Sequence, residues 1–202
     1  MSSSHTLYLA SSNPGKLREF LAIANGSQAR IALDLLPGLS KLPPFLENAP
    51  TFAENAVGKA LHASAFTELA VCADDSGLVV PALHGEPGVR SARYAGPSAT
   101  GGDNIAKLLA ALQGKIGSER NGHFVCVLAV ARRGRALAVI TNRVDGEILE
   151  SPRGSAGFGY DPVFYFPPLR KAFAQLSGEE KNLHSHRGKA FRRLLEVLPG
   201  ML

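Results

Sequence analysis

A chain of 202 residues is long enough for one domain with a real core, or for two lobes sharing one. Apolar residues make up 45% of it and charged residues 19%, which excludes a disordered composition, and its apolar runs fall far short of the roughly 20 residues of a membrane span. Lysine and arginine exceed the acids, 22 against 17, a balance that suits a polyanionic ligand.

The opening Met-Ser-Ser-Ser-His lacks the basic and apolar regions of a signal peptide, so a cytoplasmic location and no membrane partner are expected. Thr6–Ala10 reads as a short buried strand, followed by the polar loop Ser11-Ser12-Asn13-Pro14-Gly15-Lys16. Leu17, Phe20, Leu21 and Ala24 then recur at helical spacing, and Asn25-Gly26 closes that helix. A loop entering a helix N-terminus offers backbone N–H groups and the positive end of the dipole to phosphate. Residues 37–50 read as a Pro/Leu-rich loop, and a second helix is predicted over 52–66 with Thr51 and Glu54 as its capping box. Residues 69–73 form a strand that ends at Asp74-Asp75-Ser76-Gly77, and 78–80 resume it. A long loop spans 85–102, and 104–112 carries a helical pattern.

Two strands, 122–131 and 135–141, are joined at Arg132-Arg133-Gly134-Arg135, which reads as a solvated hairpin tip before it reads as a nucleic-acid patch. A glycine-rich loop at 154–161 leads to a short strand at 162–166. Ser177 to Glu180 look like a further cap, and 187–198 are a final amphipathic helix. Strands and helices alternate around a hairpin, which predicts an α/β fold with a mixed sheet in a single domain over 1–202. Cys72 and Cys126 lie inside apolar runs and read as buried, reduced thiols; no Cys/His spacing suggests zinc.

Several enzyme signatures are absent: G-x-x-x-x-G-K-[ST], G-x-G-x-x-G after the first strand, H-E-x-x-H and G-x-S-x-G. What remains is acidic and basic. Two adjacent carboxylates, Asp74 and Asp75, are costly at a strand end unless a cation or donors compensate them; the pair either serves a cleft or closes the strand as an Asx-turn. Glu54 either completes its capping box or shares a Mg²⁺ ion with the acid pair, since magnesium takes one or two protein carboxylates and fills the rest with water and phosphate. Lys16 is slightly unfavourable against the helix dipole as a plain surface residue, which favours a phosphate partner. Lys181, His186 and Arg187 supply donors near the last helix. Phe158 and Tyr160 either wall a base or pack in the core, and by residue type the core is favoured.

These residues fall in blocks that resemble the inosine triphosphate pyrophosphatase family, the XTP/dITP pyrophosphatases. The blocks are Ser11 to Lys16; Thr51-Phe52-Ala53-Glu54-Asn55-Ala56 with Lys59-Ala60; Ala73 to Leu78; Pro87-Gly88 with Ser91 to Tyr94; Gly157-Phe158-Gly159-Tyr160-Asp161-Pro162; and Glu180-Lys181 with Ser185 to Gly188. They come in the family's order and reach across nearly the whole chain. The resemblance implies a twisted mixed sheet with flanking helices, two lobes around a central cleft, and a homodimer. It implies hydrolysis of non-standard purine triphosphates (ITP, dITP, XTP) to monophosphate and pyrophosphate, with Mg²⁺ as cofactor and no nucleic acid as partner. Position by position, Ser11, Ser12, Asn13, Pro14, Gly15 and Lys16 resemble the triphosphate loop, with Lys59 as a further candidate. Glu54 resembles the metal ligand on the helix. Asp75 resembles the proton acceptor that also approaches the metal, with Asp74 as rival for that second role. Ser76 resembles a substrate contact; Phe158, Gly159, Tyr160 and Asp161 the base-binding loop; and Lys181, His186 and Arg187 the readers of a 6-keto purine. Gly58 sits inside the second predicted helix at a cost of about 1 kcal/mol and has no functional part in this reading. Two rival readings are a Maf-like nucleotide pyrophosphatase with other base preferences and a basic nucleic-acid-binding module.

Overall fold

The computed structural model describes residues 5–27 and 31–200. The residues before His5, on which the expectation of no signal peptide rests, lie outside that range. Strand β1 (His5–Leu9) runs into helix α1 (Pro14–Asn25), which returns the chain to strand β2 (Ile31–Leu35), parallel to β1 with Leu7 opposite Leu33. Helix α2 (Phe52–Ser64) then leads to strand β3 (Ala70–Val79), parallel to β1 on its other side with Leu7 opposite Ala70. Parallel neighbours need a crossover, and α1 and α2 provide it. Helix α3 (Gly101–Ala111) precedes strands β4 (Asn121–Arg132) and β5 (Arg135–Ile148), then β6 (Phe164–Phe166) and β7 (Lys171–Ala172), and the chain ends in helices α4 (Gly178–His184) and α5 (His186–Val197). The strands form one mixed sheet in the order β2-β1-β3-β4-β5-β6-β7, antiparallel from β5 to β7. The expected α/β class with a mixed sheet and flanking helices is what forms.

The chain groups into two units: residues 1–75, 126–142 and 187–202, and residues 76–125 and 143–186. The first has a core of Leu7, Leu9, Phe20, Cys72, Cys126, Leu128, Phe191 and Leu194 among others, with the Phe20 and Phe191 rings 5.0 Å apart. The second packs Leu78, Leu108, Phe124, Tyr160, Phe164 and Phe173, with the Phe124 and Phe164 rings 4.5 Å apart. Both cysteines are buried and reduced, as read; burial first, and the charge of Asp74 second, push the Cys72 thiol well above its usual range. Among the described residues no helix is long and apolar enough to cross a membrane.

Besides shifts in strand length, with β5 running seven residues past its expected end, four sequence expectations change around the site. First, Pro14, Gly15 and Lys16 are the first turn of α1 and not loop: Asn13 caps it, its Oδ1 accepting from the N–H groups of Gly15 and Lys16 at 2.9 and 3.1 Å, and proline at N1 has its φ already set for helix. Second, β2 was not predicted, because Asp34 and its largely exposed positions hide a strand whose partner is fixed only by the sheet. Third, α3 starts three residues early, where Thr100 and Asp103 complete a capping box, and a 3-10 segment at Gly88–Arg93 occupies part of the predicted long loop. Fourth, β3 does not stop at the acid pair: it runs straight through Asp74 and Asp75, so no Asx-turn forms there.

The hairpin tip is as read. Arg133 and Gly134 both take positive φ, 51° and 70°, as a two-residue turn matching the twist of its strands requires. The first core yields a stability prediction. Phe191→Ala removes a fully buried ring and should cost about 3–5 kcal/mol in urea unfolding; a loss under about 1 kcal/mol would mean the site collapses without a cavity.

Candidate active site

A buried strand normally has no room for charge, yet β3 carries two carboxylates in its middle, 1% and 6% exposed. Their surroundings in the first unit differ. Asp74 Oδ2 lies 2.7 Å from Lys16 Nζ, from the first turn of α1. Burial alone pushes the Asp74 carboxyl up, but the ammoniums of Lys16 and Lys59 outweigh it and hold the group below its ordinary value. Asp75 Oδ2 accepts from the Asn55 amide at 3.0 Å. Burial dominates there, and although Lys59 and Asn55 pull against it, the carboxyl is pushed up from 3.8 to about 6. One acid is locked as a carboxylate by a salt bridge; its neighbour is poised where it can take and release a proton near neutral pH.

The basic groups come from two helices. Lys16 is not the exposed helix-start lysine of the plain alternative: its side chain is 16% exposed and paired with Asp74. An ammonium has three donors, so the pair orients it and leaves it able to meet a phosphate as well. Lys59 on α2 donates to the Asp74 carbonyl at 2.8 Å and pairs with Glu47 at 2.8 Å. The expected row of backbone donors at the start of α1 is partly taken up, since the N–H groups of Gly15 and Lys16 go to Asn13 and that of Asn13 goes to Ser11 Oγ at 3.3 Å. The dipole of α1 and the Lys16 ammonium are the firmer phosphate-directed features.

Glu54 lies exposed in the first turn of α2, where the Thr51 hydroxyl donates to its Oε2 at 2.6 Å and the Glu54 N–H returns to Thr51 Oγ at 3.2 Å. The expected capping box is half formed, since the Glu54 carboxylate takes the Thr51 hydroxyl and not its N–H, and the carboxylate keeps lone-pair sites for a further partner. Oxygen donors suit a hard divalent cation. Asp75 and Glu54 fit that role better than Asp74, whose carboxylate faces Lys16; a cation near Asp75 would also draw its raised carboxyl back to the charged form. Among the described residues no group of three or more His, Cys, Asp or Glu is arranged to hold a metal by itself, and a magnesium site does not need one.

The second unit begins at Ser76 and holds the glycine loop. Asp161 organises it. Its Oδ2 accepts from the Phe158 N–H at 2.8 Å and from Lys181 Nζ at 2.5 Å, both partners of the ion pair being buried. Lys181 Nζ also lies 4.7 Å from the centre of the Phe158 ring, within cation–π range. Gly157 has φ of 78°, and a Cβ there would meet Asp161 Oδ2 at 2.1 Å, so the loop closes on Asp161 only with glycine at that position. Tyr160, 4% exposed, is core as its residue type suggested; its hydroxyl donates to the Ser91 carbonyl at 2.9 Å, and burial raises its pKa out of reach of titration. Phe158 is half-buried and Gly159 exposed, which leaves the Phe158 ring as the loop's aromatic surface.

The predicted base readers divide between the units. Lys181 belongs with Asp161, and His186 stacks on Phe124 with ring centres 4.7 Å apart and planes 12° apart. Arg187 is in the first unit, where its Nη1 pairs with Glu19 Oε2 on α1, both side chains largely buried. Sequence reasoning missed Glu19, one turn after Lys16, and Asn55, next to Glu54. The signal for Asn55 was available: asparagine is a poor helix former, and inside a helix it usually has a side-chain task.

The profile of the Ham1 family matches residues 7–197. The chain is 50% identical over 192 residues to a dITP/XTP pyrophosphatase of Geobacillus kaustophilus (strain HTA426), covering 94% of this chain and 92% of that one. It is 42% identical over 196 residues to a dITP/XTP pyrophosphatase of Desulfotalea psychrophila, covering 97% and 86%. Among solved structures, a HAM1 protein from Coxiella burnetii matches with a TM-score of 0.85 at 39% identity over 97% of this chain and 99% of that one. With its motif blocks, its fold and nearly its whole length matched together, the chain belongs to the Ham1 family.

Proposed function

We propose that this chain hydrolyses non-standard purine nucleoside triphosphates, dITP, ITP and XTP, to the monophosphate and pyrophosphate with Mg²⁺ as cofactor. The observation that carries the reading is the acid pair on β3, one carboxylate salt-bridged to Lys16 and the next raised to about 6. The names of the relatives, dITP/XTP pyrophosphatases, support the substrate class. The homodimer and the cytoplasmic setting implied by the resemblance go with this reading.

Asp75 takes the proton of a water that attacks the α-phosphorus. The water oxygen stays on the monophosphate, the bond from the α-phosphorus to the bridging oxygen breaks, and that oxygen leaves with pyrophosphate. Lys16 and the α1 dipole meet the growing negative charge of the leaving group. Asp75 and Glu54 would hold the magnesium ion, which supplies neutralisation of the phosphate oxygens when bound. Positioning and charge compensation carry the rate, with no covalent intermediate on the protein. On the base, the Phe158 ring offers a stacking face, and Lys181, His186 and Arg187 offer donors. Inosine and xanthine present an acceptor at C6 where adenine presents a donor, and a site built on hydrogen bonds rejects the wrong partner by about 10⁴.

Purified protein given ITP, XTP, dTTP, ATP and GTP with Mg²⁺ should release pyrophosphate from ITP and XTP, and EDTA should abolish it. Preferred turnover of dTTP would move the chain to Maf-like chemistry, and no turnover with salt-sensitive DNA or RNA binding would move it to the nucleic-acid reading. Arg187→Ala should flatten the ITP-to-ATP ratio of kcat/KM; an unchanged ratio removes it from base reading.

Asp75→Asn should lose most turnover, and it has a second signature in metal-free buffer. The folded carboxyl titrates at about 6 against 3.8 ordinarily, so the native state binds the proton more tightly than the unfolded chain. Stability from this group is therefore full below pH about 4, falls as the pH rises through the interval, and is lost above about 6. The asparagine variant escapes that loss and should be more stable than the native protein by about 2–3 kcal/mol in alkaline EDTA, at 1.36 kcal/mol per pKa unit. Denaturant unfolding at acid and alkaline pH reads the difference, and equal stability at both would show that Asp75 is not raised.

A further inference from the structure

The segment from Pro43 to Ala49 lies along α2 as a strap. Four of its residues meet α2 between Asn55 and His62. His62 Nε2 is 2.8 Å from the Pro43 carbonyl. The Phe45 ring rests on Gly58, where a Cβ would come within 2.6 Å of it, and its centre is 5.7 Å from that of His62. Glu47 pairs with Lys59, and Ala49 meets Asn55. Gly58 is thus the seat of Phe45, and its mild helix penalty has a reason.

At the end of the strap the Ala49 N–H donates to Asn55 Oδ1 at 3.0 Å, and the Ala49 carbonyl accepts from Asn55 Nδ2 at 3.3 Å. That backbone pair distinguishes the two ends of the amide. With Oδ1 turned to the N–H donor, Nδ2 must face the other way, and its second acceptor is Asp75 Oδ2 at 3.0 Å. Asn55 is 1% exposed, so bulk water does not compete for its donor.

We propose that Asn55 is a positioning residue for the reaction: the strap fixes its amide, and the amide fixes the rotamer of the Asp75 carboxylate. This rests on the reading of Asp75 as proton acceptor. A role through the acceptor alone lowers kcat and leaves substrate binding unchanged, since a small misplacement of a reacting group costs up to about 10²-fold in rate.

The test compares kcat and KM for ITP, in alkaline buffer with Mg²⁺, for the native protein, Asn55→Ala, Asn55→Asp and Asp75→Asn, with thermal midpoints alongside. Asn55→Asp keeps the shape and the acceptor for the Ala49 N–H while giving up the donor to the Ala49 carbonyl, and as a carboxylate in alkaline buffer it cannot donate to Asp75. Both Asn55 variants should lose about 10- to 100-fold in kcat with KM within about twofold of native. Should Asn55→Ala fail to fold, Asn55→Asp decides alone. Native kcat in Asn55→Asp would reduce Asn55 to a strap fastener and overturn the inference, as would a rise in KM at unchanged kcat. If Asp75→Asn is inactive while the Asn55 variants are native, only this inference fails; if Asp75→Asn itself keeps native kcat, the function of Asp75 fails first.

Discussion

The ion pair between Asp74 and Lys16 is the constraint on which the arrangement of charge in the first unit depends. A carboxylate in the middle of a buried strand is unfavourable by several kcal/mol unless a charge of opposite sign comes with it. Lys16 comes from the first turn of α1, so the pair ties the start of that helix to the centre of β3. Asn13 caps that turn and proline at N1 sets it, and the lysine is held in place from both sides. The result is a cation aimed at the strand on which Asp75 sits one residue further on.

Adjacent residues on a strand point to opposite faces, and this places the two acids in different environments at no sequence distance at all. Asp74 meets ammoniums and is held ionised; Asp75 meets an amide and is left with a high proton affinity. Division of labour between neighbouring carboxylates follows from the pleat and from which helix covers which face. The cost is stability, because a carboxyl raised to about 6 weakens the fold at neutral pH and above. Sites that do chemistry commonly carry such a penalty.

The second unit solves a related problem by another route. Asp161 gathers a backbone N–H and the buried Lys181 ammonium on one oxygen, and Gly157 leaves the room. The loop that offers Phe158 is thereby ordered by charge where a glycine-rich segment would otherwise be loose. The buried pair also fixes where the ammonium stands relative to the aromatic ring.

Much of this protein is determined by local sequence. The motif blocks, the α/β class, the hairpin tip at Arg133-Gly134, the Ser177 cap and the final helix follow from periodicity, capping and turn chemistry, all of which act over a few residues. Other features depend on partners far away in the chain. That β3 continues through Asp74 and Asp75 was settled by Lys16 and Asn55, and β2 became a strand only because β1 offered an edge. Arg187 stands with Glu19 from the far end of the chain, and Gly58 has its place because Phe45 folds back onto it. A pattern in sequence shows which residues are able to be buried or charged; which of them meet, and hence which carboxylate is salt-bridged and which is poised to take a proton, is decided by long-range packing that leaves no local trace.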